Sequence, residues 1–307
     1  MSYGLEATNS SGQVLISDEF KNLHFKQKKT SPDYTDRNSN GLFGGVKLMR
    51  YRFSLSETPV PFFHVPSGNS CAITAVRSVS SGVWDVEVLT DGVNPEIYIF
   101  ATAAVVSSGD SYGVQVFNSS NQVTFDSRAA PLLVTGLLSV AQPSQPSSSY
   151  SASGLVAGNC GTSSSGYSGA FTPDTSSNYS TSLPTKPLFF FTSNAQAERE
   201  IHVSLTEDVC DGIDLGKLGC AGAYREYQYD SYYWAFYRNT IAWSSGSVGS
   251  NWCVADWGCN WTYYVDSAFV GIGTGSTSSS GGNWPYSNET INTFNNTVII
   301  GDASFYD

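Results

Sequence analysis

Short runs of alternating apolar and polar residues, separated by clusters of Gly, Pro, Ser and Asn, fill the first hundred positions of the chain. Within segments such as Gly45 to Phe53 and Trp84 to Leu89, apolar residues recur at about every second position. This period is typical of a β-strand with one buried face. Strands are therefore predicted at 3–8, 13–17, 45–53, 60–65, 71–77, 84–89 and 96–101, with an inner face formed by Val86, Val88, Ile97 and Ile99.

One segment of the chain occurs twice. Residues Ser2 to Val14 return as Ser111 to Val123, an offset of 109 residues. Gly12 is replaced by Asn121 in the second copy, and these two residue types best tolerate a positive φ. Apolar residues alternate on both sides of this position, so each copy is predicted to be a hairpin with one apolar face. The alternative is two unrelated hairpins that use the same common turn chemistry.

The repeated hairpin predicts a tandem duplication. Weaker echoes support it: Thr58 to Phe63 is similar to Lys186 to Phe191, and Glu96 to Phe100 is similar to Thr297 to Gly301. The predicted fold class is all-β, with two tandem β-sandwich-like domains at 1–106 and 107–307. Ser/Gly-rich insertions enlarge the second domain, and the longest, at 139–186, is predicted to be a linker because it holds too little apolar surface to order alone. One short helix is predicted, at Asn194 to Glu200.

Composition and charge exclude several classes of function. The chain has 307 residues, of which 40% are hydrophobic, and this is enough for buried cores. The net charge of -11 argues against nucleic-acid binding. Since there is no apolar window of about 18 residues and no secretory signal, we expect no membrane insertion and synthesis in a cytosol.

Basic residues are concentrated near the start of the chain. Residues 1–52 hold eight of the 15 Lys and Arg residues. Lys26, Lys28 and Lys29 are the candidate residues for docking on an acidic neighbour. The alternative is a solvated loop.

Six cysteines leave 15 pairings open. Cys210 with Cys220, and Cys253 with Cys259, are near enough in sequence to close small loops, and these four are the candidate disulfide cysteines. None of the spacings is Cys-x-x-Cys, and the three histidines are distant in sequence from the cysteines. We therefore expect no metal site and no cofactor.

Aromatic residues are densest between Tyr224 and Tyr264. Because Tyr and Trp are favoured at interfaces and on sugar-stacking surfaces, they are candidates for contact with a partner or a glycan. The residues singled out are Tyr233, Trp252, Trp257 and Trp261, with Trp257 at the tip of a loop closed by Cys253 and Cys259. The alternative is that these side chains form the core of a second sandwich.

Catalytic groups are hard to find in the sequence. Glu226, Asp230 and Asp256 are isolated acids among aromatic residues, and their separation, on which glycoside hydrolysis depends, cannot be obtained from the sequence. No Gly-x-Ser-x-Gly turn leads from a strand into a helix. The chain is therefore predicted not to be an enzyme.

Residues Ser111 to Ser127 resemble a motif of small β-proteins in the tails of tailed bacteriophages, with the pattern Tyr-Gly-Leu-x-Val-x-Asn-x-Ser-Gly-x-x-x-Phe-Asp-Ser. The resemblance implies a structural component of the tail tip, minor tail or fibre region, assembled in the host cytoplasm and located in the virion. It implies binding to other virion tail proteins, a homo-oligomeric state in the assembly, and contact with a host receptor or glycan. The first copy departs from the pattern at Ile16 to Asp18. The alternative function is an extracellular carbohydrate-binding or adhesin module.

Overall fold

The structure is a computed structural model, which describes residues 6–8, 14–17, 22–38, 46–102, 112–140, 176–191, 196–214, 220–273, 286–292 and 296–307. These residues form antiparallel β-sheets, with one 3-10 turn at Ala303–Phe305. The prediction of an all-β fold is confirmed. Within these residues, no helix has the length and hydropathy needed to cross a membrane.

Nineteen strands are numbered in chain order among the described residues. The first half of the chain contains β1 (Glu6–Thr8), β2 (Val14–Ser17), β3 (His24–Lys29), β4 (Tyr34–Asn38), β5 (Lys47–Ser54), β6 (Val60–His64), β7 (Ser70–Ser80), β8 (Val83–Thr90) and β9 (Glu96–Ala101). The second half contains β10 (Gln115–Phe117), β11 (Val123–Asp126), β12 (Val134–Val140), β13 (Ser176–Ser180), β14 (Pro187–Phe191), β15 (Gln196–Asp214), β16 (Cys220–Ser244), β17 (Ser247–Gly273), β18 (Tyr286–Asn292) and β19 (Asn296–Asp302).

Two large sheets pack face to face. The six-stranded sheet has the order β12-β19-β14-β6-β9-β3. The nine-stranded sheet has the order β13-β17-β16-β7-β8-β5-β4, with β15 added beside β16 and β18 beside β15. One cluster of buried side chains includes residues of both sheets and of both halves of the chain, among them Tyr51, Phe63, Val88, Phe189 and Ile300. The two large sheets therefore form one sandwich with a common core, and the pairs β1-β2 and β10-β11 form separate two-stranded sheets.

The strand order of both large sheets repeats between the two halves of the chain. From the centre outwards, the six-stranded sheet has β6, β9 and β3 on one side and β14, β19 and β12 on the other. The nine-stranded sheet has β7, β8 and β5 on one side and β16, β17 and β13 on the other. In each of these four sets of three strands, the strand that comes second in the chain lies nearest the centre of the sheet. The strand that comes third in the chain lies beside it, and the strand that comes first lies farthest from the centre. The two central pairs, β6 with β14 and β7 with β16, are both antiparallel.

This arrangement corrects the predicted division into two tandem sandwiches. The predicted boundary near residue 106 falls between β9 and β10, but both large sheets continue across it through the β6–β14 and β7–β16 pairs. The inward side chains of each half pack against those of the other half, for example Phe63 against Phe189 with ring centroids 5.8 Å apart. Burying apolar surface against the other half stabilises both halves. The predicted inner face formed by Val86, Val88, Ile97 and Ile99 lies in this core.

The two repeated hairpins have the same backbone register. In the first, Glu6 pairs with Ser17, Ala7 with Ile16 and Thr8 with Val14, and the register shifts between Ala7 and Thr8. Every one of these positions, moved by 109 residues, gives the pairing of β10 with β11 and the site of its shift. Asn121, the counterpart of Gly12, has a φ of 60°, as the exchange of Gly for Asn predicts.

The outer face of the six-stranded sheet carries a second, smaller core. It includes Phe62, Tyr98, Phe100, Leu188 and Tyr306. Tyr306 follows the 3-10 turn, and its ring stacks on Phe25 of β3 with centroids 5.2 Å apart. The end of the described chain thus covers this face of the sheet, so β9 is buried on both sides.

Strands β15 to β18 form an arm that continues from the nine-stranded sheet. Strand β16 has 25 residues and β17 has 27, whereas strands of globular proteins usually have about 3 to 10. In the described chain, β16 pairs with the sandwich strand β7 only at Ile241 and Ala242, while its residues 220–238 pair with β15 and β17. We define the arm as residues 196–214, 220–238, 252–273 and 286–292. At about 3.3 Å per residue, β16 is roughly 80 Å long.

Several local predictions on the second half were wrong. The segment Asn194 to Glu200 was predicted to be helical, but β15 begins at Gln196. Its alternating pattern pairs with both β16 and β18, and these ladders outweigh the weak helix propensity of a seven-residue segment. Of the predicted linker at 139–186, Ser139 and Val140 end β12, Ser176–Ser180 forms β13, and 141–175 lies outside the described residues.

Candidate contact surfaces

The four aromatic residues predicted to make contacts all lie on the long strands β16 and β17. The backbone of Tyr233 pairs with Cys259, Trp257 with Ala235, Trp261 with Ser231 and Trp252 with Asn239. Their side chains lie outside the residues whose side chains the structure describes. The contact role of these four residues stays a prediction.

A described row of aromatic side chains lies on the same strand. Tyr232 and Phe236 are 42% and 40% exposed, and Trp234 lies between them with its ring 5.3 Å from that of Phe236. Alternate residues of a strand share a face, so these three belong to one face of the arm. Tyr237 and Ile241, at positions of the opposite face, are buried. We call Tyr232, Trp234 and Phe236 the aromatic row.

The predicted loop between Cys253 and Cys259 does not exist. Both residues lie within the continuous strand β17, where six residues span about 20 Å. A disulfide requires Cα atoms about 4.4–6.8 Å apart. Cys253 is instead a buried free thiol, as is Cys71, while Cys259 takes part in a disulfide bond. The prediction that Cys253 pairs with Cys259, and that Trp257 is a loop tip, is therefore wrong.

The backbone register also separates Cys210 from Cys220. Cys210 pairs with Tyr224, and Cys220 pairs with Asp214. The two cysteines are thus offset by four positions along the ladder, which is about 13 Å. A direct bond between them is incompatible with this register.

The three lysines predicted to dock on a partner belong to β3, at the edge of the six-stranded sheet. Lys28 contacts Glu96 and Asp307, with Nζ to carboxylate distances of 3.0 and 2.5 Å. Lys29 contacts Asp33 at 2.7 Å. The ammonium group of Lys26 is buried and makes no hydrogen bond with the part of the chain that the structure describes, and burial lowers its pKa. Lys28 and Lys29 thus form ion pairs within the protein, and docking on a partner through the three lysines stays a prediction.

Lys28 is part of an ionic cluster that links the two halves of the chain. Lys186, just before β14, contacts Glu96 at 2.7 Å and Asp307 at 2.6 Å. The hydroxyl of Tyr98 lies 2.6 Å from the carboxylate of Glu96 and 2.8 Å from that of Asp307, and its single proton is shared between these two acceptors. Although burial acts in the opposite direction, the hydrogen bonds from Lys186, Tyr98 and Lys28 lower the pKa of Glu96 to about 2.

A ladder of opposite charges crosses the outer face of the nine-stranded sheet. On β5 and β8, Arg52 is the register partner of Asp85 and Arg50 is the register partner of Glu87. Arg52 binds Asp85 through two parallel bonds, of 2.8 Å from Nε and 2.9 Å from Nη2. The buried Asp85 carboxylate has a lowered pKa, chiefly because of the hydrogen bond from Arg52.

The ladder lines an open groove. Asp33, Tyr34, Arg50, Arg52 and Asp85 enclose about 390 Å³. Tyr34 is 53% exposed, and the guanidinium carbon of Arg50 lies 5.6 Å from the centre of its ring. The sequence interpretation missed this site. The signal was present as Arg-x-Arg at 50–52 and Asp-x-Glu at 85–87, two alternating patterns of opposite charge on neighbouring strands.

The second repeated hairpin has several exposed apolar side chains. Tyr112 is 92% exposed, and Val114 and Phe117 are also exposed. The hairpin is anchored to the body of the protein by backbone hydrogen bonds, from Asn22 to Thr124 and from Phe25 to Ala130. An apolar surface of this kind on a fixed hairpin is typical of an interaction site.

No group of three or more His, Cys, Asp and Glu residues among the described side chains is arranged to hold a metal ion. Among known proteins, no family model, curated protein or solved structure matches the chain.

Proposed function

We propose that this protein is a structural component of a bacteriophage tail, in the tail tip, minor tail or fibre region, and that it has no catalytic activity. The observation that carries the proposal is the hairpin at Ser111 to Ser127, which resembles a motif of phage tail proteins and whose register is repeated in β1 and β2. Two hairpins with the same register in one chain are suited to bind protein subunits that are repeated in an assembly.

The distribution of exposed apolar side chains supports the same function. The second hairpin presents Tyr112, Val114 and Phe117 to solvent, and the arm presents the aromatic row. Apolar and aromatic groups of this kind mark protein interfaces. In this proposal the sandwich and hairpins bind neighbouring virion proteins, and the arm faces the host surface.

The proposal is tested by locating the protein in particles. Particles produced with the complete set of tail genes are purified by density gradient, analysed by mass spectrometry and labelled with an antibody against this chain. We expect peptides of the chain in intact particles and label at the tail. Absence from particles, with the chain left in the soluble fraction, overturns the proposal.

The arm's share in this function is tested with the double variant Tyr232→Ala, Phe236→Ala. We expect particles of unchanged protein content whose adsorption to host cells is slowed by roughly tenfold or more, as for loss of interface anchors. Val79→Ala, which truncates an exposed apolar residue of β7 outside the arm, is the matched control and should leave adsorption unchanged.

The aromatic row favours one second candidate function, an extracellular carbohydrate-binding or adhesin module. Exposed Tyr and Trp rings stack on the apolar faces of sugars. A glycan array probed with the full chain distinguishes the two candidates. An adhesin binds glycans and is absent from particles, whereas a tail protein is found in particles whether or not it binds a glycan.

A further inference from the structure

We propose that the groove lined by Asp33, Tyr34, Arg50, Arg52 and Asp85 binds a carboxylate-bearing sugar unit of a surface glycan. The inference rests on the proposed function, because it names the chemistry that a host-contacting protein would recognise. It involves a site on the sandwich, separate from the aromatic row on the arm.

The first argument is the fixed position of one guanidinium. Both bonds from Arg52 to Asp85 use Nε and Nη2, which leaves the Nη1 amino group for a ligand. The Arg52 side chain is 50% exposed, whereas that of Asp85 is nearly covered. A guanidinium held in this way on a rigid strand loses little conformational freedom when it binds a second anion.

The second argument is the looser contact of the neighbouring arginine. Arg50 lies 3.4 Å from Glu87 through Nη2 and 3.7 Å from Asp85 through Nε. Its Nε is buried and makes no hydrogen bond within the described structure. Arg50 therefore has donor capacity that the surrounding carboxylates do not fully use, on the same face of β5 as Arg52.

The third argument is the charge of the linked side chains. Lys29, Arg50, Arg52 and Arg77 provide the positive charges, and Asp33, Asp85 and Glu87 provide the negative charges. Positive charges exceed negative ones by one, on a chain whose net charge is -11. Arginine donors recognise a carboxylate with directional, charge-assisted bonds, so the groove favours an anionic ligand over a neutral one.

The fourth argument is the aromatic wall and the size of the groove. Arg50 lies over the ring of Tyr34, yet about half of that side chain stays accessible. An accessible tyrosine ring offers a surface for the C–H face of a sugar, while the Asp33 carboxylate can accept hydrogen bonds from sugar hydroxyls. The volume of about 390 Å³ is at the small end of ligand sites, which suits one or two sugar units.

The experiment uses the full chain and isothermal titration with a glucuronate-containing disaccharide. The neutral glucose disaccharide and inorganic phosphate serve as comparison ligands. We expect the uronate to bind and the neutral sugar to bind much more weakly. No binding at millimolar uronate, equal binding of the neutral sugar, or tighter binding of phosphate overturns the proposal.

Variants identify the groove as the site. Tyr34→Ala should weaken uronate binding by roughly tenfold, the loss expected for one stacked ring. Arg52→Lys keeps a positive charge beside Asp85 but removes the fork, and should reduce the preference for uronate over the neutral sugar. Phe305→Ala, which truncates an exposed aromatic ring outside the groove, is the matched control and should bind normally.

Thermal unfolding of each variant shows that it is folded before binding is measured. Unchanged uronate binding by folded Tyr34→Ala and Arg52→Lys overturns the assignment to this groove. Failure of uronate binding while the chain is found in particles refutes this inference alone and leaves the proposed tail function standing.

Discussion

Phe63 of β6 and Phe189 of β14 are register partners where the two halves of the chain meet, and their ring centroids lie 5.8 Å apart in the common core. Both side chains are fully buried. Because this contact joins the two halves of the chain within one sheet, a cavity at this position should destabilise both halves. The pair is one of the contacts that connect the two halves of the chain in a common core.

We expect Phe189→Ala to lower the free energy of unfolding by about 3–5 kcal/mol, because it removes a buried ring and leaves a cavity. Urea unfolding followed by tryptophan fluorescence measures the change. Phe305→Ala, which truncates an exposed ring, is the control and should change stability by less than about 0.5 kcal/mol. Equal effects of the two substitutions would contradict the assigned core.

The turn of the second hairpin gives a prediction about backbone conformation. Asn121 has a φ of 60°, and the Asn118 side chain accepts bonds from the backbone N–H groups of Ser120 and Gln122. We expect Asn121→Val to destabilise the hairpin by about 1–2 kcal/mol, since a β-branched residue is strained at positive φ. Asn121→Gly, which restores the residue type of the first copy, should be nearly neutral. Hydrogen exchange of the Gln122 amide is the measurement, and equal exchange in both variants would refute the turn assignment.

Buried His24 gives a prediction about pH. It is 1% exposed, and its ring nitrogens make no hydrogen bonds of normal geometry with the described residues. Burial, followed by the charge of Lys26, lowers its pKa, against the opposing effect of Asp126. As the pH falls, His24 therefore binds a proton near pH 6.5 in the unfolded chain, and only at a lower pH in the folded protein. The contribution of neutral His24 to stability should be fully present above pH 6.5. Below that pH it should decrease by roughly 1 kcal/mol per pH unit until His24 of the folded protein is also protonated.

Urea midpoints between pH 8 and pH 5 measure this dependence. His64 is also buried enough to have a lowered pKa, so it contributes with the same sign. His24→Leu should reduce the slope of stability against pH, and His64 should account for part of the slope that remains in this variant. A slope unchanged by His24→Leu would show that His24 is not the group responsible.

The ionic cluster gives a prediction about coupling between the halves. Because the pKa of Glu96 is lowered to about 2, its contribution to stability is present above pH 4.5 and is lost as the pH falls towards 2. A double-mutant cycle with Glu96→Gln and Lys186→Met should give a coupling energy of about 1–2 kcal/mol at pH 7. The more exposed pair Lys29–Asp33 is the control, with an expected coupling below about 0.5 kcal/mol. Equal coupling energies in the two cycles would show that the ionic cluster stabilises the protein no more than a more exposed ion pair does.

The sequence predicted those elements whose signal is local. Strands β8 and β9 were placed within a residue or two, because Val86, Val88, Ile97 and Ile99 alternate with polar neighbours. The hairpin register followed from the repeat, and the positive φ of Asn121 followed from its exchange with Gly.

Elements whose partners are distant in sequence were missed. Strand β3 was interpreted as a docking segment or solvated loop, because its lysines show no apolar alternation. Their partners, Asp307 and Glu96 for Lys28, are brought close only by the fold. Likewise, the edges of the two halves pair through Phe63 and Phe189, which no local pattern indicates.

The candidate sites also show which features can be predicted from a local pattern and which depend on partners that are distant in sequence. Proximity in sequence suggested a bond between Cys253 and Cys259, whereas a continuous strand keeps them apart. The charge pattern of Arg50, Arg52, Asp85 and Glu87 was local on each strand, but its meaning depended on which strands are neighbours. Strand pairing is the information that a single sequence lacks.

The central claim is that the two halves of the chain fold as a single cooperative sandwich. Native-state hydrogen exchange on Phe189→Ala tests it most directly, because the substitution lies in the second half. We predict that amides of β9 in the first half lose protection together with those of β19 in the second half. Loss of protection confined to β19 and its neighbours in the second half, with β9 unchanged, would contradict the claim.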